Sequence, residues 1–97
     1  MPKPMTISPE EQEKAARIAK TLNTHLSDEQ ETAAILAGLK KAKKQGVFDD
    51  TPEQTARKAA QGVIAYLKEH HLVLPEKERA LLVSASKTFA AGIVTGR

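Results

Sequence analysis

The chain contains no cysteine and no tryptophan. The first absence excludes disulfides and thiolate chemistry and leaves only histidine and carboxylates as metal ligands. It also makes a reducing compartment the simplest expectation. Phe48, Tyr66 and Phe89 are the only rings, so the core has to be built from Leu, Ile, Val and Ala. No apolar run approaches the roughly 20 residues of a membrane span. Residues 1–7 also lack the roughly 7 to 15 apolar residues of a secretory signal. The expected location is therefore the cytoplasm. A strong excess of one charge is missing too: 15 Lys and Arg stand against 12 Asp and Glu, a net charge of +3. A bias this mild permits an anionic partner without requiring one.

What the sequence does have is helix starts. Ser8-Pro9-Glu10-Glu11, Ser27-Asp28-Glu29-Gln30 and Thr51-Pro52-Glu53-Gln54 each place a hydroxyl three residues ahead of Glu or Gln, the spacing of a capping box. In two of them proline occupies the first helical position, where its missing N–H costs nothing. A fourth start follows Pro75, which biases Leu74 towards extended backbone; Glu76 and Glu78 then suit the positive end of the helix dipole. The predicted helices run over 9–23, 28–45, 52–71 and 75–92. Glu11-Gln12-Glu13-Lys14-Ala15-Ala16 is echoed by Glu29-Gln30-Glu31-Thr32-Ala33-Ala34, but the offsets are unequal and shared cap chemistry explains the echo better than a repeat.

Each predicted helix carries an apolar stripe at helical spacing. Ala15, Ile18 and Leu22 form it in helix 1; Thr32, Ile35, Leu36, Leu39 and Ala42 in helix 2. Helix 3 offers Ala56, Ala59, Ala60, Val63, Tyr66, Leu67 and His70. In helix 4, Leu81, Leu82, Val83, Ala85, Phe89, Ala90 and Ile93 cover most of the circumference, so this helix is expected at the centre. Gly46 suits the end of helix 2, and Gly92 either stops helix 4 or is passed through. Val47 and Phe48 are expected to plug the core. The fold class is all-α, a small bundle of four amphipathic helices. Residues 1–7 are expected to be a flexible N-terminal segment, with 8–97 a single helical domain.

Functional signals are fewer. Lys40, Lys41, Lys43 and Lys44 place four cations in two turns and form the candidate contact for an anion or a partner. Cations at a helix end also offset the dipole, so a solvated face accounts for them better than contact with an anion does. No aromatic interleaves them and no recognition helix follows a tight turn, which weighs against nucleic acid. His70 and His71, with His25 as a third partner, invite a metal or acid–base reading. Adjacent helical residues diverge by about 100°, however, whereas helical ligand pairs sit four apart. Structural roles at the helix end fit both better. Asp49, Asp50 and Glu53 lack the alternating ligands and central glycine of a calcium loop. Ser84 and Ser86 lack a strand-to-helix elbow. Nothing here points to an enzyme, a metal or a cofactor. Leu26, Ile64, Leu72, Val73 and Val94 lie at the margins of the stripes and would make a docking patch if they aligned; otherwise they complete the core.

Thr51-Pro52-Glu53-Gln54-Thr55-Ala56-Arg57-Lys58-Ala59-Ala60 followed by Tyr66-Leu67-Lys68-Glu69-His70-His71-Leu72-Val73-Leu74-Pro75, together with the overall layout, resembles a family of short uncharacterised proteins from enteric bacteria. The resemblance implies a bacterial, cytoplasmic, helical protein and brings no activity or functional residue with it. The expected function is a non-enzymatic protein–protein interaction module, contacting another protein or itself. The alternative is weak nucleic-acid or anion binding through the Lys40–Lys44 cluster.

Overall fold

The computed structural model describes residues 7–43 and 51–95. Four helices occupy them: α1 (Pro9–Thr21), α2 (Asp28–Ala42), α3 (Pro52–Glu69) and α4 (Glu76–Thr95), with no strand among the described residues. The fold is a small all-α bundle, and none of these helices is long and apolar enough to cross a membrane.

All three capping boxes form. Glu11 N–H donates to Ser8 Oγ at 3.2 Å while Ser8 N–H donates to Glu11 Oε1 at 3.0 Å. Ser27 with Gln30, and Thr51 with Gln54, repeat the exchange. Each box satisfies two backbone N–H groups that would otherwise lack partners at a helix start.

The helix ends differ from expectation, each for a local reason. α1 stops at Thr21 rather than residue 23, because Leu22 turns to extended backbone and packs against the core. α2 stops at Ala42 rather than residue 45, because Lys43 turns extended with its side chain directed inwards. Lys44, Gly46, Val47, Phe48, Asp49 and Asp50 lie outside the described residues, so the expected cap and plug fall there. α3 stops at Glu69 rather than residue 71. His70 caps it, and His71 takes a left-handed φ of 54°. Leu72 N–H reaches Leu67 O at 2.8 Å and His71 N–H reaches Lys68 O at 3.2 Å, the paired bonds of a Schellman ending. α4 begins at Glu76 and runs through Gly92 to Thr95, beyond the expected residue 92. Ile7, ahead of the first cap, packs against the core.

The centre also moves from helix 4 to α2, which packs against all three other helices. Its buried positions are Glu31, Ala34, Ile35, Gly38, Leu39 and Ala42. That face is turned from the predicted stripe, which has Thr32 and Leu36 inside and no acid. Glu31 is 1% exposed, and its Oε2 accepts the Thr24 hydroxyl at 2.6 Å while Thr24 Oγ1 accepts the Leu26 N–H at 3.1 Å. The hydroxyl gives the buried carboxyl group a polar partner inside the domain.

Gly38 and Gly62 explain how three helices crowd one point. A Cβ on Gly38 would lie 2.6 Å from Ala59 O and would collide with Ser86 Oγ; one on Gly62 would lie 2.6 Å from Ala37 O and 2.7 Å from Gly38 Cα. The two glycines let the α2 and α3 backbones touch. Ser86 approaches from α4 and donates to Ile35 O at 3.0 Å, which satisfies a hydroxyl with no solvent access. Around this crossing Ile35, Leu39, Val63 and Leu82 are fully buried. Each contributes about 1.5–3 kcal/mol of transfer free energy. Leu81, expected in the core, is 43% exposed on the outer side of α4.

Candidate functional site

Because the inner face of α2 is centred on Glu31, Ile35 and Gly38, the next residues round the helix are left at its edge. Thr32, Ala33 and Leu36 are half-buried there, and Ala16 is half-buried on the facing side of α1. The small side chains Ala16 and Ala33 leave a trough between the helices. It is an open groove of about 390 Å³ with an apolar floor of Ala16, Thr32, Ala33 and Leu36. The Thr32 hydroxyl donates to Asp28 O at 2.7 Å within its own helix, so it brings no unmet donor to the groove.

Charge gathers at one end. Lys20, in the last turn of α1, and Asp28 and Glu29, in the first turn of α2, line the groove beside the link that joins the two helices. All three are exposed, and among the described residues none makes an ion pair. Acidic first turns occur in every helix here and answer the helix dipole. What distinguishes Asp28 and Glu29 is their position across an apolar floor from an unpaired lysine.

The lysine cluster does not stay together. Lys40 and Lys41 are exposed on α2. Lys43 is 6% exposed and its Nζ lies 2.7 and 2.8 Å from the two carboxylate oxygens of Glu11, so it is withdrawn from any external anion. Lys44 lies outside the described residues. Burial pushes the Glu11 carboxyl up, but the Lys43 hydrogen bonds and the Ser8 N–H outweigh it and hold the carboxyl below its ordinary value. One carboxylate thus caps α1 and anchors the end of α2.

The histidines part company as well. His70 is exposed rather than on the apolar stripe, and its ring lies 4.3 Å from that of Tyr66. His71 supplies the left-handed helix ending. His25 turns instead to α4: its N–H donates to Glu78 Oε1 at 2.7 Å, and its ring Nδ1 lies 2.7 Å from Glu78 Oε2. The imidazole contact holds the Glu78 carboxyl below its ordinary value, against the opposing push of desolvation. Among the described residues no three metal-ligating side chains converge.

Of the expected marginal patch, Leu26 and Leu72 are taken against the core and Val94 is half-buried, so the five residues do not make one external face. Ile64 and Val73 remain outside, at 38% and 93% exposure. A second cleft of about 490 Å³, with polar and apolar walls in about equal share, lies between the start of α1 and the end of α4, with Glu10, Lys14, Phe89 and Ile93 in its walls. Comparison with protein-family models, with curated proteins and with solved structures gives no match.

Proposed function

We propose that this chain is a non-enzymatic protein-interaction module that docks its partner in the α1/α2 groove. The carrying observation is the groove itself: an apolar floor of small side chains beside unpaired charges of both signs. A helix or a loop with an apolar ridge would fill such a trough, and charged groups flanking the ridge would set its register. The proposed setting is a bacterial cytoplasm, supported by the cysteine-free composition and by the resemblance carried by residues 51–75.

The test is retention of native lysate components by the wild-type chain and by Leu36→Glu, which puts a charge on the apolar floor. Specific retention that Leu36→Glu abolishes, with helicity unchanged, supports the reading. Retention unaffected by Leu36→Glu contradicts it, as does a strict monomer that retains nothing.

One observation favours a second reading, a weak anion or nucleic-acid contact. Lys41 packs its Cβ beside Gly62, and Arg57 and Lys58 lie one turn earlier on α3, lining a shallow depression of about 240 Å³ with Gln54 and Gln61. The depression thus brings two basic side chains of α3 together, and Lys40 and Lys41 are exposed cations on α2. Replacing Lys40, Lys41 and Arg57 with Ala weakens polyanion binding at low salt and flattens its salt dependence if this reading holds. Unchanged binding removes it.

A further inference from the structure

We infer that the occupant of the α1/α2 groove is a second copy of this chain, joined through a two-fold axis that runs along the groove. The inference rests on the docking reading given above and deepens it by naming the partner. Its warrant is the arrangement of charge. Lys20 stands on the α1 side and Asp28 with Glu29 on the α2 side, at the same end of the trough, beside the link between the helices.

A two-fold interface brings the same patch together from both partners, so the patch must complement itself. Only some orientations allow this. With the axis along the groove, α1 of each copy lies over α2 of the other while the charged ends stay together. Lys20 of each copy then faces Asp28 and Glu29 of its partner, twice over by symmetry. The apolar floors meet between them. With the axis across the groove, the charged end of each copy would instead lie over the Leu36 end of the other, which leaves every charge without a counterpart. The charge pattern therefore selects the first arrangement.

The small side chains suit it. Ala16 and Ala33 let the facing helices approach closely, and Leu36 is the largest apolar group available to fill the remaining space. A patch built from so few residues is at the low end of protein interfaces, so association is weak, with half-dimerisation expected in the range of about 10 µM to 1 mM. Because the paired charges lie at an exposed rim, added salt loosens the dimer.

Sedimentation equilibrium over that concentration range tests the inference with four samples: wild type, Lys20→Glu, the double variant Asp28→Lys/Glu29→Lys, and an equimolar mixture of the two variants. The wild type is expected to dimerise. Each variant alone is expected to dimerise at least about tenfold more weakly, since like charges then face each other. The mixture is expected to recover association. There the acid introduced at position 20 of one chain faces the two lysines introduced at positions 28 and 29 of the other, and Lys20 of the second chain faces Asp28 and Glu29 of the first. Circular dichroism on each variant checks that the helices are intact, and recovery in the mixture requires both chains to be folded. A wild type that stays monomeric throughout overturns the inference, and so does a dimer that persists unweakened in both variants. Neither result bears on retention of a different protein by the groove, which the Leu36→Glu comparison decides separately.

Discussion

Lys43 and Glu11, 32 positions apart, join the end of α2 to the start of α1 through two hydrogen bonds of 2.7 and 2.8 Å. Their side chains are only 6% and 14% exposed. Removing one partner from such a pair leaves the other charge poorly solvated, which costs more than the intact pair contributes. Lys43→Met is therefore expected to lower stability by about 1–3 kcal/mol. Glu11→Gln/Lys43→Met together should cost less than the sum of the single changes, as measured by urea unfolding in a double-mutant cycle. Strict additivity would show that the two residues do not act as a pair.

The same carboxyl makes stability depend on acid. Glu11 and Glu78 are both held below the ordinary carboxyl value of 4.5 in the folded chain. The unfolded chain thus takes up protons first as pH falls, and stability drops in that direction. The contribution is complete above the ordinary value and drains away as pH falls from there through the lower, folded values. Glu11→Gln is expected to flatten the fall in thermal midpoint below about pH 5 relative to wild type, and a profile parallel to wild type would refute the assignment.

Three glycines in helices should answer differently to one methyl group. Gly38→Ala and Gly62→Ala each press a Cβ to within 2.6 Å of a carbonyl oxygen on the neighbouring helix, whereas a Cβ on Gly92 meets nothing within 4 Å. The first two are expected to destabilise by about 1–3 kcal/mol through overpacking. Gly92→Ala, inside α4, is expected to stabilise by about 0.5–1 kcal/mol because alanine loses less backbone freedom on folding. Denaturant midpoints of the three variants check the split.

His71 carries a φ of 54° at a position where glycine is the common choice. His71→Gly is expected to raise stability by up to about 1 kcal/mol by relieving left-handed strain. His70→Gly, at a residue with φ of −98°, should not. Thermal melts of both variants give the comparison.

These contrasts show where the sequence is legible. Ser8, Ser27 and Thr51 announce three helices because capping boxes are local, complete within four residues. The ends are less legible. Lys43 leaves its helix for an acid 32 positions away, and no short window along the chain contains that pair. The face of α2 is misread for a similar reason. Glu31 reads as a solvent residue until Thr24 folds over it, and Gly38 has no hydrophobic signal although it sets the crossing with α3 and α4. The groove is hidden by the same displacement, since helical spacing alone puts Thr32 and Leu36 fully inside, whereas both are half-buried and Leu36 packs against the core from its edge. Among the four lysines, spacing cannot separate the exposed Lys40 and Lys41 from the inward Lys43.

The central claim is that the α1/α2 groove is the surface through which this domain pairs with a second copy of itself. Nitrogen–proton correlation spectra recorded across a dilution series test it most directly, because each backbone amide reports its own surroundings. The account predicts concentration-dependent shifts that cluster at Ala16, Lys20, Thr32, Ala33 and Leu36 and leave Lys40, Lys41 and Arg57 still. Shifts that avoid the groove and gather on the lysine-bearing face, or spectra that do not change at all, would contradict it.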